Sequence, residues 1–94
     1  MITIDMKPIT NPNVVGRIVE DEAVLVLPMK GEVKVLNGVG ARIWSYINGI
    51  RTVGEIAALV QSEFAVTTQN AQEDTCSFLE KLADREIITF TKMA

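Results

Sequence analysis

The chain has 94 residues, 48% of them apolar, and its nine Lys and Arg against twelve Asp and Glu give a net charge of −3, so one small domain is expected. Because there is no His and only one cysteine, Cys76, the chain lacks the commonest general base and the commonest zinc ligand and cannot form an internal disulfide. We therefore predict a protein that is not an enzyme and carries neither metal nor cofactor. The acidic balance also counts against a nucleic-acid partner, since affinity for phosphates comes largely from Lys and Arg.

The first 13 residues show no sustained apolar period, and they contain two prolines and two turn-forming asparagines. We predict that residues 1–13 form an arm ahead of a domain of residues 14–94. The arm lacks the cationic start, apolar stretch and small-residue cleavage site of a secretory signal. A cytoplasmic, reducing location is therefore expected.

Three short runs rich in β-branched residues follow the arm, and turn signals separate them. The runs cover residues 14–19, 22–27 and 32–36. The gap at Glu20-Asp21 and the gap at residues 28–31 suit tight antiparallel connections. The pattern predicts a three-stranded antiparallel sheet.

The second run differs from its neighbours because residues 23–27 place apolar side chains on both faces of the strand. Helices are expected to cover one face. The other face is covered by another chain or by the arm, or it is an exposed, adhesive surface through which a homodimer could form. The longest apolar run, residues 23–29, is far shorter than the ~20 residues that cross a bilayer, and no membrane association is expected.

After Asn37 the apolar period changes from two to about 3.6, which indicates helices. Asn37 is the predicted N-cap of a first helix over residues 38–48, and Asn48-Gly49 is expected to end it. Trp44 lies on the apolar stripe of this helix and is predicted to anchor it to the sheet.

Two further helices and a terminal strand complete the chain. Thr52 and Glu55 have the spacing of a capping box at the start of the second helix. The third helix is predicted from Thr67 or Thr68 to about Arg85, and residues 87–90 form a short strand or a buried tail. One side of the third helix carries the predicted core positions Ala71, Thr75, Phe78, Leu79 and Leu82, among which Phe78 could instead contact a ligand.

Three strands followed by three helices predict an α+β fold, and this order is typical of a winged helix-turn-helix. A winged-helix DNA-binding regulator is the alternative that this architecture leaves open. Its recognition helix would carry four acidic and two basic residues over 67–85, a sum of −2, which is the wrong sign for DNA. A carrier of a small product ranks last because no glycine-rich phosphate loop or cationic pocket is visible.

A spaced set of short motifs resembles the PqqD family. They are Leu36-Asn37, Gly40-Ala41-Arg42-Ile43-Trp44, Gly49-Ile50-Arg51-Thr52-Val53-Gly54-Glu55-Ile56, and Asp74 with Phe78-Leu79 and Leu82. The resemblance covers about residues 14–88. It implies a winged-helix protein that captures the leader of a ribosomally made precursor peptide and presents it to a modifying enzyme. In pyrroloquinoline quinone synthesis that enzyme is a radical S-adenosylmethionine enzyme.

The resemblance also implies where a leader would bind. In the family the leader adds as an antiparallel strand to the third strand, in a groove beside the third helix. The corresponding candidate residues here are Glu32, Val33, Lys34, Val35, Leu36, Asp74, Phe78 and Lys81. For Lys34, a contact with the leader and a protective role against aggregation at an exposed strand edge are equally good interpretations.

Overall fold

The computed structural model describes residues 2–92, and these form an α+β fold of five strands and three α-helices. The strands are β1 (Met6–Thr10), β2 (Val15–Val19), β3 (Glu22–Leu27), β4 (Glu32–Asn37) and β5 (Ile88–Lys92), and the helices are α1 (Val39–Tyr46), α2 (Val53–Phe64) and α3 (Thr68–Asp84). The predicted fold class is confirmed, with the three-stranded sheet followed by three helices. Met1 of the predicted arm, and Met93 and Ala94 of the predicted domain, lie outside the described residues.

The main sheet is antiparallel with the order β2-β3-β4. Val19 pairs with Glu22, so Glu20-Asp21 is a two-residue loop, and Glu20 has the positive φ of 57° that such hairpin turns require. Residues 28–30 form a 3-10 turn before β4. All three predicted strands are therefore confirmed, with their connections.

The two faces of β3 meet different surroundings. Ala23, Leu25 and Leu27 are buried against the helices. Residues opposite each other in an antiparallel pair share a face, so the other face groups the alternate residues of all three strands. We call it the valine face, because it carries Val15, Val19, Val24, Val26, Val33 and Val35, five of which are exposed.

The prediction that residues 1–13 form only an arm is wrong, because β1 pairs along its whole length with β5. Pro8 is fully buried opposite Phe90, and a proline without an N–H donor fits an outer strand. Gly54 N–H also donates to the Ile4 carbonyl (2.8 Å), which joins the segment before β1 to the start of α2. The valine face is thus not covered by this segment.

The predicted ends of the first helix are also wrong. Asn37 remains in the sheet, paired with Glu22, and the N-cap is Gly38, whose φ of 57° is unfavourable for residues with a side chain. The helix ends at Tyr46, and Ile47 is extended. Asn48 instead makes a side-chain turn, accepting from the backbone N–H groups of residues 50 and 51.

The other two helices begin as their sequences predict. Thr52 Oγ1 accepts from the Glu55 N–H and Glu55 Oε1 accepts from the Thr52 N–H, which confirms the capping box. Thr67 caps α3 through the Asn70 N–H. Both helices contribute buried residues to the core under the main sheet: Val53, Ile56, Ala57 and Val60 from α2, and Ala71, Thr75, Leu79 and Leu82 from α3.

Thr75 is the buried polar residue of this core, and its hydroxyl has no hydrogen-bond partner among the described residues. We expect Thr75→Val to stabilise the fold by about 1 kcal/mol in urea denaturation, because it removes an unpaired polar group and keeps the shape. Thr75→Ser keeps the hydroxyl and loses a methyl group, and should be less stable than the wild type. A destabilised Thr75→Val would show that the hydroxyl is satisfied after all.

Candidate functional site

β4 is an edge strand, and it is the strand at which the family resemblance predicts leader binding. It pairs with β3 on one side and with no described strand on the other. Its six residues offer about 20 Å of open backbone edge. Such an edge presents N–H and C=O groups that can pair with another strand.

One side of α3 faces this edge. Asp74, Phe78, Lys81 and Arg85 are spaced by four, three and four residues, which places them on one side of the helix and at its end; we call them the α3 stripe. Arg85 Nη2 lies 2.6 Å from Glu32 Oε1, at the start of β4.

Phe78 shows which part of the stripe lies at the other end of β4. A Cβ built on Gly40 would lie only 3.1 Å from two ring carbons of Phe78 and 3.9 Å from Leu36 Cβ, so the ring lies beside the end of β4. With Arg85 at the start of the strand and Phe78 at its end, α3 runs antiparallel to β4.

β4 packs against β3 and α1, and the Glu32–Arg85 pair connects its start with the α3 stripe; we call the surface between β4 and the α3 stripe the groove. Lys34 is opposite the buried Leu25, so it shares the inner face of β4 with Glu32 and Leu36. The groove therefore has a polar wall on β4 and a mixed wall, with one aromatic ring, on α3.

The eight predicted site residues belong to the two elements that flank the groove, five on β4 and three on the α3 stripe. Their side chains differ in access. Leu36 is only 6% exposed, so it offers its backbone alone, whereas Val33 (64% exposed) and Val35 (53%) belong to the valine face and point away from the helices. Lys34 and Phe78 are half-buried, and Asp74 and Lys81 are exposed.

Two residues that shape the groove were not predicted from the sequence, Arg85 on the α3 stripe and Gly40 on α1. Arg85 was assigned only to the end of the helix, although it follows Lys81 by four residues and so extends the same side. Gly40 leaves room for the Phe78 ring, and only the distance between two distant segments reveals that role.

The Tyr46 hydroxyl is already hydrogen-bonded, and the Cys76 thiol is poorly activated as a nucleophile. Tyr46 donates to Glu63 (3.1 Å), which also pairs with Arg42 (3.0 Å), and burial followed by this carboxylate raises the pKa of Tyr46. Burial, and then the charge of Glu80, raises the pKa of the half-buried Cys76 thiol, which disfavours the nucleophilic thiolate.

Residues 2–92 contain neither a cluster of metal-ligating side chains nor a helix that could span a membrane. No group of three His, Cys, Asp or Glu side chains is arranged to hold a metal ion. None of the described helices has the length and apolarity needed to span a membrane.

The family model and the similar solved structures point to the same family. The model of the family described as Coenzyme PQQ synthesis protein D (PqqD) matches residues 22–88. A structure of TbiB1 in complex with the TbiA(beta) leader peptide is 30% identical, with a TM-score of 0.79, over 85% of this chain and 93% of that one. A search of curated proteins gave no match.

Two more distant structures share the fold. A lasso peptide synthetase B1 complexed with its leader peptide is 19% identical, with a TM-score of 0.76, over 90% of this chain and 98% of that one. The PqqD truncation of Methylobacterium extorquens PqqCD, described as a functional, stand-alone recognition element for ribosomally synthesized and post-translationally modified peptides, is 20% identical, with a TM-score of 0.70, over 87% of each chain.

Proposed function

Because the chain belongs to the PqqD family, we propose that it is a non-catalytic adaptor that captures the leader of a ribosomally made precursor peptide and presents it to a modifying enzyme. The observation that carries this proposal is the unpaired edge of β4 facing the α3 stripe across a groove. The leader peptide in the structure of its relative TbiB1 supports the same role. The adaptor acts in the cytoplasm, and its enzyme partner is a radical S-adenosylmethionine enzyme or another enzyme that modifies such peptides.

Backbone pairing alone gives this adaptor little affinity. Three or four ladder hydrogen bonds, at roughly 0.5 to 1.5 kcal/mol net each, total a few kcal/mol, whereas association costs about 4 kcal/mol or more. Useful affinity therefore requires guest side chains that enter the groove. Phe78, half-buried beside the end of β4, provides an apolar surface for them.

The proposal is tested by titrating peptides encoded beside the gene into ¹⁵N-labelled protein. We expect one such peptide to shift the amide resonances of β4 and of the α3 stripe, with few changes in β1 and β5. Because β1 and β5 form a separate sheet, they serve as an internal control. If none of the neighbouring peptides shifts the β4 amides, the proposal is contradicted.

The exposed valine face also predicts that the protein self-associates weakly. Three strands of about five residues present roughly 14 by 17 Å, about 240 Å², well below the ~800 Å² per partner of a stable interface. We expect light scattering to show a monomer at micromolar concentration and a rising average mass at millimolar concentration. Val26→Thr, in the middle strand of this face, should weaken the rise. A constant monomer mass up to the highest concentration would contradict this prediction.

A further inference from the structure

The groove contains one half-buried charge that the described residues do not neutralise. Three residues of β4 have side chains on its inner face. Leu36 is buried in the core, and Glu32 is paired with Arg85. Lys34 lies between them, half-buried, and no carboxylate among the described residues lies within 4 Å of its ammonium group. An incoming strand would bury this charge further, so it would need a counter-charge.

The side chain opposite Lys34 on the helix has the same sign. Lys81 lies between Phe78 and Arg85 along the α3 stripe, just as Lys34 lies between the ends of β4, so both lysines fall in the middle of the groove. Lys81 also has no ion-pair partner among the described residues. The acidic member of the stripe, Asp74, is seven residues away, about 10 Å along the helix. The middle positions of the α3 stripe and of the inner face of β4 therefore carry two positive charges and no carboxylate.

The geometry of β4 also constrains the neighbours of any residue that faces Lys34. Successive side chains of a strand alternate between its faces, so the guest residues on either side of that position lie next to Val33 and Val35 on the valine face. Cross-strand neighbours of exposed valines are most favourable when they are β-branched or aromatic.

We infer that the guest strand carries a carboxylate facing Lys34, flanked on both sides by β-branched or aromatic residues that pack beside Val33 and Val35. This inference rests on the proposed strand addition and adds the charge and the pattern of the guest. The competing explanation is that Lys34 only protects an exposed edge from aggregation, in which case guest charge is irrelevant.

A phage-displayed library of random 12-residue linear peptides, selected on the immobilised protein, tests the inference. Peptides that lose binding to Phe78→Ala, or to a proline substitution in β4 that leaves the protein folded, are retained as groove-dependent. We expect them to share Asp or Glu between two β-branched or aromatic residues. In one such peptide, synthesised with a fluorescent label, replacing the acid by Gln should weaken binding about 3- to 10-fold, as for partly buried ion pairs.

A charge exchange completes the test. Lys34→Glu should lower the affinity of the protein for the acidic peptide and raise its affinity for the version of the peptide that carries Lys in place of the acid. Arg17→Glu is the matched control, because it makes the same charge change on the opposite edge strand and should leave the ranking of the peptides unchanged.

The possible results separate the inference from the proposed function. Groove-dependent peptides without an acidic preference, or equal affinities for the Glu, Gln and Lys versions, would overturn the inference and leave strand addition in place. Failure to select any groove-dependent peptide would contradict the proposed function, and the inference would fall with it.

Discussion

A proline in β4 is expected to abolish leader binding, with a loss of at least about 30-fold in affinity, because proline lacks a donor and its ring blocks a neighbouring strand. Val35→Pro is the first substitution to test, and Lys34→Pro is its companion. Successive N–H groups along a strand point to opposite sides, so one of the two substitutions removes a donor from the open edge and the other removes a donor from the pairing with β3. The substitution at the open edge should leave the protein folded.

Circular dichroism and thermal unfolding identify which of the two variants is folded, and anisotropy of a labelled leader peptide gives its affinity. Ile18→Pro is the matched control on β2, the other edge of the same sheet, and its folded form should bind normally. A folded proline variant of β4 that binds the leader as well as the wild type would contradict strand addition at this edge.

Two neighbouring residues of α3 should separate stability from binding. Leu79 is fully buried, so Leu79→Ala is expected to cost about 2 to 5 kcal/mol, a large share of the stability of a domain of this size. Phe78 is only half-buried, so Phe78→Ala should cost less stability. It should weaken leader binding at least about 10-fold, because it removes the aromatic surface of the groove.

Urea denaturation and leader titration measure the two effects independently. Phe78→Leu keeps an apolar side chain in the groove and should recover most of the affinity. If Phe78→Ala bound the leader normally, Phe78 would be a core residue without a role in the groove.

Much of this fold could be predicted from local patterns. The strands and helices follow a change of apolar period after Asn37, and the capping box at Thr52 marks α2 because its interactions involve only residues three positions apart. β1 could not be predicted, since its partner lies about 80 residues away and Pro8 resembles an irregular segment. The N-cap at Gly38 was missed for a similar reason, because pairing with Glu22 keeps Asn37 in the sheet.

The groove was predicted less completely than the fold. The family resemblance assigned eight candidate residues to the third strand and the third helix, which are β4 and α3, and their role in binding stays a prediction. The pairing of Arg85 with Glu32 joins residues 53 positions apart, and no local pattern contains it. The alternation in β4 was visible in the sequence, but only the structure shows that Val33 and Val35 face outward while Lys34 faces the groove.

Hydrogen exchange of the backbone amides of β2 and β4, with and without the leader, tests the central claim most directly, because the two strands are the opposite edges of one sheet. Strand addition at β4 predicts that alternate amides of Glu32–Asn37 become protected by the leader while those of β2 keep their exchange rates. Unchanged exchange along β4 at saturating leader, or protection confined to β2, would contradict it.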